Sequence, residues 1–288
     1  MPLGAFLPTR AFAQDPAAIR DWTQAVEEIG YDYIDVPDHV LGVDRQARPD
    51  FDGPYDISDG FHKTFVTLGY LAAIATRVRL RSAVLILPQR QTALVAKQAA
   101  EVDVLSGGRF DLGVGVGWNT VEYEALNEDW KSRGARQTEQ LEAMNHLWTE
   151  DVVTFKGKFH TFDGVGLNPR PVQRPIPLWF GGSADAMLRR AAKFGSGWIP
   201  LGKPDDAAVA RLDALRGYLN AESRDPAKFG IECWIRTTRR DPDSWCRAAE
   251  AWRAIGATDV TLYTSSTDII SIGDQIDALQ AFKARLEG

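Results

Sequence analysis

The chain has 288 residues, 44% of them hydrophobic and 25% charged, which excludes a disordered or fibrous protein. Its formal net charge of −6, without a long basic run, argues against nucleic acid as the main partner, because neutralising phosphates needs clustered Lys and Arg. The apolar stretches are short and interrupted by charge, so we expect no membrane span.

Short β-rich runs alternate with amphipathic helical stretches from one end of the chain to the other. Eight such pairs in 288 residues favour a closed (β/α)8 TIM barrel, an α/β fold, over an open doubly wound sheet. No linker or shift in composition divides the chain, so residues 1–288 are expected to form one domain. The predicted strands are, in chain order, Leu3–Leu7, Tyr33–Val36, Val78–Leu87, Phe110–Val116, Pro177–Phe180, Gly197–Pro200, Ile231–Ile235 and Asp259–Tyr263.

The helix predicted after the first strand has clear end signals, with Asp15 as its N-cap, Pro16 at its first position and Gly30 at its end. Two segments do not fit the strand–helix repeat. The long acidic loop at residues 40–60, after the second strand, has a length typical of a lid or binding element. Val152–Phe162 predicts a small hairpin insertion between strands four and five.

The active site of such a barrel belongs to the loops that follow the strands. At the end of strand two, Asp38 and His39 place a carboxylate beside an imidazole, the side chain that exchanges protons near neutral pH. A plain hydrogen bond across a loop is the structural alternative for this histidine. Strand three ends in an apolar run up to Pro88, which packing alone explains.

Strand four ends in Gly-Val-Gly-Val-Gly, residues 113–117, followed by Trp118 and Asn119. Alternate glycines leave one side of the backbone bare, as the close approach of a flat ligand requires. Tight packing inside the barrel is the alternative. The spacing differs from the dinucleotide-binding fingerprint, and no helix is expected to start directly after it.

After strand five the chain reads Gly181-Gly182-Ser183, with Ser183 predicted as a helix N-cap and Asp185 in the first turn. The free N–H groups and the positive dipole end of a helix start suit a phosphate. A simple capped helix start is the alternative, and the Asp185 carboxylate works against an anion.

Together these segments resemble the bacterial-luciferase-like flavin-dependent oxidoreductases, and within them the branch that uses the deazaflavin coenzyme F420. The resemblance covers the first two thirds of the chain, and the final third matches only in its β/α rhythm. The segments that carry it are residues 36–39, 87–90, 96–100, 105–109, 113–119, 147–151, 169–173, 179–182 and 197–198.

The resemblance implies a planar cofactor lying across the strand ends, with Asp38 and His39 near its ring and His39 as the catalytic residue that exchanges or positions a proton. A non-proline cis peptide near Val84 and Leu85 would bulge beneath the ring. The other cofactor contacts that the resemblance implies are Gly115, Val116 and Gly117 along the ring and Gly181, Gly182 and Ser183 at the phosphate.

One position departs from the family pattern. The F420-dependent sugar-phosphate dehydrogenases of the family place a catalytic glutamate directly after the last glycine of strand four, where this chain has Trp118. A glucose-6-phosphate activity is therefore not expected. Trp118 and Asn119 are expected instead to contact the substrate in a more apolar pocket, which the long second loop also shapes.

The leading hypothesis is an F420-dependent oxidoreductase that passes a hydride between a small organic substrate and the deazaflavin. An FMN-dependent monooxygenase of the same fold, using reduced flavin and oxygen, is the alternative, and a flavin carrier without turnover is a third interpretation. A metal-dependent barrel is not expected, because the four histidines are scattered and form no H-x-H pair.

Cysteine content and family habit give two further expectations. Cys233 and Cys246 form neither a disulfide framework nor a zinc motif, which favours a reducing, cytoplasmic location. The resemblance also implies a homodimer.

Overall fold

The computed structural model describes residues 1–12, 14–237, 241–264 and 269–287. Its strands are β1 (Leu3–Phe6), β2 (Tyr33–Val36), β3 (Arg79–Ser82), β4 (Leu85–Ile86), β5 (Phe110–Gly115), β6 (Val153–Lys156), β7 (Thr161–Val165), β8 (Leu178–Gly181), β9 (Gly197–Ile199), β10 (Gly230–Arg236) and β11 (Asp259–Tyr263). The helices are α1 (Pro16–Ile29), α2 (Thr64–Ile74), α3 (Thr92–Leu105), α4 (Thr120–Ala125), α5 (Arg133–Thr149), α6 (Asp185–Phe194), α7 (Asp206–Ala221), α8 (Pro242–Ile255) and α9 (Ile272–Glu287). Single 3₁₀ turns cover Leu87–Gln89 and Pro226–Lys228.

Parallel strands close into an eight-stranded barrel with the helices around it, which confirms the predicted (β/α)8 TIM barrel. The strands run in the order β3-β2-β1-β11-β10-β9-β8-β5, and β3 pairs with β5 to complete the circle. The short β4 continues β3 on the β5 side, where Leu85 is paired with Val114. β6 and β7 form a separate antiparallel hairpin between strands four and five of the barrel, as predicted.

The first helix begins and ends as its signals predict. The Asp15 side chain accepts a hydrogen bond from the N–H of Ala18 at 3.0 Å, and Pro16 occupies the first helical position. Gly30 ends the helix in the left-handed conformation, at φ 91°, which favours glycine. Trp22 lies on the buried face and joins the core between barrel and helices.

The third barrel strand is interrupted, so the prediction of one strand over Val78–Leu87 is wrong. β3 ends at Ser82, and the peptide bond between Ala83 and Val84 is cis. β3 pairs with β2 on one side, whereas β4 pairs only with β5, and the chain leaves the regular ladder between them. We expected a cis bond near Val84 and Leu85, and it lies on the N-terminal side of Val84.

Two helix starts also differ from expectation. α4 begins directly after the glycine repeat, where no helix was expected, because the Asn119 side chain accepts hydrogen bonds from N–H groups of its first turn. α6 begins at Asp185, with Ala184 extended at the N-cap position and no side chain capping the helix. The prediction that Ser183 is the N-cap is therefore wrong by one residue.

Charged side chains fill part of the barrel interior. Arg81 of β3 is only 2% exposed; it forms an ion pair with Glu232 of β10 and lies 3.3 Å from Asp111 of β5. Its guanidinium is also 3.6 Å from the centre of the Trp179 ring. One buried cation therefore contacts both carboxylates and the ring, and Asp111 also pairs with Arg79.

The side chain of Asp35 adds a third carboxyl group to this cluster, and its surroundings disfavour the ionised form. Burial and the neighbouring Glu232 raise the pKa of Asp35 well above its usual value. Burial also opposes ionisation of Glu232, but the charge of Arg81 outweighs it and lowers the pKa of Glu232. Thr261 donates a hydrogen bond to Asp35 at 3.0 Å, whereas Oδ1 of Asp35 and Nε of Arg81 are buried without a described hydrogen-bond partner.

Replacing the buried cation tests how much the barrel depends on it. Arg81→Met is expected to lower the free energy of unfolding by about 3–5 kcal/mol, because Glu232 would stay buried without its cation and Asp111 would keep only Arg79. Arg79→Met is the matched control, because Arg79 also pairs with Asp111 but is 40% exposed, and we expect about 0–1 kcal/mol there. Urea unfolding measures both variants, and equal losses would contradict this account.

Candidate active site

The Asp38 carboxylate, 4% exposed just after β2, ties three segments together. Its Oδ1 accepts hydrogen bonds from Lys63 Nζ and Thr64 Oγ1, both at 2.7 Å, at the start of α2. Its Oδ2 accepts a hydrogen bond from the N–H of Ile86 in β4 at 3.0 Å and lies 2.7 Å from the Arg90 guanidinium. The carboxylate thus fixes the ends of β2, β4 and α2 relative to one another.

These partners hold Asp38 in its ionised form. Burial alone would raise the pKa of the carboxyl, but the charges of Arg90 and Lys63 outweigh it and the pKa lies below its usual value. We expected Asp38 to contact the cofactor. In the structure protein groups engage both carboxylate oxygens, so Asp38 acts first as a positioning residue for the strand ends.

His39 is half-buried, and its imidazole faces Glu122 of α4. Nδ1 lies 3.4 Å from Oε1 of Glu122, which also accepts hydrogen bonds from the N–H groups of Val40 at 2.7 Å and Leu41 at 3.2 Å. Burial opposes ionisation of Glu122, but the hydrogen bonds from His39 and these amides outweigh it and lower the carboxyl pKa. A carboxylate at Nδ1 favours the tautomer that carries its proton there, which leaves Nε2 as the nitrogen that can accept a proton.

Aromatic side chains surround His39. The ring centres of Phe61, Tyr55 and Trp118 lie 4.7, 4.9 and 5.8 Å from that of the imidazole. Phe61 and Tyr55 belong to the long segment between β2 and α2, and Arg10 after β1 lies 5.7 Å from the Tyr55 ring. The segment therefore forms one wall of the site, in line with the predicted binding role of this loop.

The glycines at the strand ends accommodate side chains of the interrupted third strand. A Cβ atom on Gly115 would lie 2.8 Å from Val84 Cγ2, and one on Gly117 would lie 2.7 Å from Ile86 Cγ2. Gly181 at the end of β8 faces the same Val84, at 2.9 Å. The glycines therefore leave room for the side chains of Val84 and Ile86, as the packing alternative predicts. Because of this room, both side chains can line the site.

A central cavity of about 210 Å³ lies at this end of the barrel; His39, Val84 and Trp118 are among its lining residues. Two larger cavities adjoin it. The β1 cavity, about 460 Å³, shares Tyr263 with it, and the β10 cavity, about 690 Å³, shares Trp234. We refer to these three neighbouring cavities, which share lining residues, as the cleft.

Trp118 and Asn119 have different environments in this cleft. Trp118 is 43% exposed and lines the central cavity beside Gly117. Asn119 is 4% exposed, and its Oδ1 is used as the cap of α4, 3.0 Å from the N–H of Val121. Substrate contact by these two residues stays a prediction, and for Asn119 only the amide nitrogen is left to make it.

The start of α6 lies at the same end of the barrel but apart from the central cavity. Gly181 approaches the cavity through Val84, whereas the described wall of the cavity includes neither Gly182 nor Ser183. The carbonyl oxygen of Gly182 accepts a hydrogen bond from Trp198 Nε1 at 2.7 Å. The structure thus brings His39 and Gly117 together around one space, and Gly182 and Ser183 are not among its described lining residues.

Sequence reasoning missed several residues of the site. Glu122 had a readable signal, because Asn119 followed three residues later by Glu is the spacing of a capping box. Tyr55, Trp234 and Tyr263 also line the central cavity. No local pattern marks an aromatic residue as cavity-lining, since that depends on which strands and loops become neighbours.

The described residues contain neither a metal-binding cluster nor a membrane-spanning helix. Residues 1–12, 14–237, 241–264 and 269–287 contain no group of three or more His, Cys, Asp or Glu side chains placed to hold a metal ion. In the same residues no helix is both long and apolar enough to cross a membrane. Cys233 and Cys246 are free thiols, and neither lines the described wall of the central cavity.

The positioning role of Asp38 predicts a pH-dependent loss of stability. Asp38→Asn is expected to lower the free energy of unfolding at pH 7 by about 3 kcal/mol, because Arg90 and Lys63 lose their anion. The native pKa lies below the unfolded value of about 3.9, so this stabilisation is complete above that pH and is lost as the pH falls through the native pKa. The gap between variant and wild type should therefore shrink below about pH 4.

Urea unfolding of both proteins at pH 7 and in the acid range measures this gap. Asp21→Asn is the control, since Asp21 pairs with Arg20 on the exposed face of α1 and should show no comparable gap. A gap for Asp38→Asn that stays constant down to the lowest pH would contradict the ionised, clamping role of Asp38.

Sequence comparison finds relatives along most of the chain. A family model described as luciferase-like monooxygenase matches residues 1–271. An uncharacterised protein of Mycobacterium tuberculosis is 34% identical over 270 residues, which cover 90% of each chain. The FMNH2-dependent dimethylsulfone monooxygenase of Pseudomonas putida is 32% identical over 199 residues, which cover 67% of this chain and 53% of that enzyme.

Solved structures share the fold at lower identity. The monooxygenase RslO1 from Streptomyces bottropensis superposes with a TM-score of 0.82 at 20% identity, covering 100% of this chain and 99% of that one. An F420-dependent secondary alcohol dehydrogenase, in complex with an F420–acetone adduct, superposes with a TM-score of 0.81 at 16% identity, covering 99% and 98%. With the family model matched over residues 1–271 of a closed barrel, the resemblance is confirmed: this chain belongs to the luciferase-like monooxygenase family.

Proposed function

We propose that the protein is an F420-dependent oxidoreductase that transfers a hydride between an organic substrate and the deazaflavin at the carboxyl ends of the barrel strands. The observation that carries the proposal is the pair of His39 and Glu122 at a cavity that Val84 and Ile86 line. Interconverting an alcohol and a carbonyl moves a proton together with the hydride, and a carboxylate-held imidazole is a suitable group for that proton.

The residues around the cleft fit a planar ring with a long tail. Val84 and Ile86 give the central cavity an apolar surface, and a Cβ on Gly117 would displace Ile86 from it. Trp234 and Tyr263 line the same space, with ring centres 6.4 Å apart. The β1 cavity extends the space beyond a ring, as the tail of a flavin-type cofactor requires.

In this proposal His39 accepts or returns the proton at Nε2. Glu122 orients the ring through Nδ1 and stabilises the imidazolium that forms when Nε2 takes the proton. Tyr55 and Trp118 cover the imidazole and reduce its access to water. The deazaflavin, when bound, supplies the carbon that carries the hydride.

The remaining cofactor contacts are part of the same proposal. No described side chain caps α6, and the N–H groups of Asp185 and Ala186, next to Gly181, Gly182 and Ser183, have no described acceptor and would be the donors for a phosphate. Leu85, Gly115 and Val116 would lie along the ring with Val84 and Gly117.

A second candidate function is an FMN-dependent monooxygenase that uses reduced flavin and oxygen. It is supported by the 32% identity to an FMNH2-dependent dimethylsulfone monooxygenase and by the TM-score of 0.82 with the monooxygenase RslO1. The chain spans about half the length of the dimethylsulfone enzyme, so that enzyme's activity is a candidate only. The two functions differ in whether oxygen is consumed.

Cofactor titration separates the two candidates. Purified protein titrated with F420 and, separately, with FMN should bind F420 at least about tenfold more tightly, as measured by fluorescence of cofactor and protein. Tighter binding of FMN, together with oxygen uptake that depends on reduced FMN, would replace the first candidate by the second. Binding of neither cofactor would contradict both.

Removal of the imidazole tests the role of His39. His39→Ala is expected to lower turnover by about 10²–10⁴-fold, because the proton loses its acceptor, while the dissociation constant for the cofactor changes little. Turnover is followed as change in deazaflavin absorbance with a panel of secondary alcohols. His146→Ala is the control, since His146 lies on the exposed face of α5, and a His39 variant with equal turnover would exclude the proposed role.

A further inference from the structure

The β10 cavity has a distinctive pattern of charge. It lies between the loop after β9 and the end of β10 and shares Leu201, Trp234 and Arg236 with the central cavity. Its described wall contains two cations, Lys203 and Arg236, and no carboxylate. Most of the remaining wall is apolar, including the buried Trp252. A cavity of this kind suits a ligand that is apolar over most of its length and carries a negative charge.

The two cations are not engaged by the part of the protein that the structure describes. The guanidinium of Arg236 lies 5.0 Å from the centre of the Tyr263 ring and, among the described residues, makes no hydrogen bond and no ion pair. The Lys203 ammonium likewise has no described ion-pair partner. Buried Arg81, in contrast, is held by Glu232 and Asp111. Both residues are exposed to solvent, and no described carboxylate competes with a ligand for either cation.

Arg236 lines both cavities, which places it at their border. A carboxylate bound there would have one side facing the central cavity and His39, and the other facing Leu201 and Trp252. The Arg236 guanidinium is therefore placed to bind the charged end of a ligand whose reacting group lies in the central cavity and whose apolar part lies in the β10 cavity.

We infer, resting on the function proposed above, that the substrate is a hydroxy or oxo acid with an apolar chain. Its carboxylate binds Arg236, with Lys203 adding to the positive field, and its chain lies in the β10 cavity. The carbon–oxygen group next to the carboxylate then reaches the central cavity. Oxidation breaks the C–H bond, whose hydride passes to the deazaflavin, and the hydroxyl proton passes to His39, giving the oxo acid.

Binding without cofactor tests the carboxylate and the chain separately. In calorimetric titrations of the whole chain, octanoate should bind at least about tenfold more tightly than octanamide, because only the acid pairs with Arg236. Octanoate should also bind about 15-fold more tightly than hexanoate, at about fourfold for each buried methylene. Arg236→Gln should abolish the first difference and keep the second. Arg253→Gln, an exposed charge on α8 outside the cavity wall, is the matched control and should change neither.

Measurements of turnover and of cofactor binding complete the test of the inferred substrate. With F420, the wild type should oxidise 2-hydroxyoctanoate with a kcat/KM at least about tenfold above that for 2-octanol, and Arg236→Gln should raise KM for the acid while kcat changes little. Equal binding of octanoate and octanamide would overturn the inference. An Arg236→Gln variant that binds octanoate normally but binds F420 or FMN tenfold more weakly would assign the cation to the cofactor tail and overturn it as well. Intact octanoate selectivity without binding of either cofactor would count against the proposed redox function alone.

Discussion

The Asp38 carboxylate is buried among four hydrogen-bonding groups, and the shape of the strand ends follows from keeping it satisfied. Removing a carboxylate from water costs several kcal/mol unless charged donors replace its hydration. Lys63 and Arg90 supply the charge, and the N–H of Ile86 supplies a bond that reaches β4. That bond holds β4 and the preceding Val84 in place. Val84 then packs against Gly115 of β5 and Gly181 of β8, and Ile86 packs against Gly117. His39, the next residue along the chain, is thereby presented to the cavity.

The inward-facing side chains of β10 change from a buried acid, Glu232, to an exposed base, Arg236, towards the mouth of the barrel. Its inward residues alternate with a period of two, so Glu232, Trp234 and Arg236 follow one another from the core to the mouth. Glu232 is neutralised by Arg81 inside the barrel, and Trp234 donates a hydrogen bond to it at 3.0 Å while lining the central cavity. Among the described residues, Arg236 contacts the Tyr263 ring but has no hydrogen-bond or ion-pair partner. A single strand thus passes from structural charge, through an apolar wall, to a charge that is open to a ligand.

The alternation of strands and helices is a property of local sequence, which is why the barrel and the cap of α1 at Asp15 could be predicted. The break in the third strand has no local signal at Ala83 and Val84. Only the family resemblance implied a cis peptide near Val84 and Leu85, and the glycines of β5 and β8 that accommodate Val84 lie on other strands. The glycines were recognised as special, but their partner is a side chain from another strand rather than a ligand. His39 was found because strand ends converge in any closed barrel. Arg236 was not found from the sequence, because a sequence does not show whether a charged side chain will have an ion-pair partner in the fold.

The whole chain carries a net negative charge, whereas the described wall of the β10 cavity contains two cations and no carboxylate. The net charge is −6, yet the carboxylates near the central cavity are engaged: Asp38 by Lys63 and Arg90, and Glu122 by backbone amides and His39. At position 118, where the sugar-phosphate dehydrogenases that this chain resembles carry a catalytic glutamate, a tryptophan adds an aromatic surface and no charge. An acid at that position would repel an anionic substrate and compete for the guanidinium. Among the described lining residues, Arg236 therefore remains free to attract an anionic ligand. Tryptophan in place of glutamate at position 118 argues against a sugar phosphate as substrate and is compatible with a carboxylate that has an apolar chain.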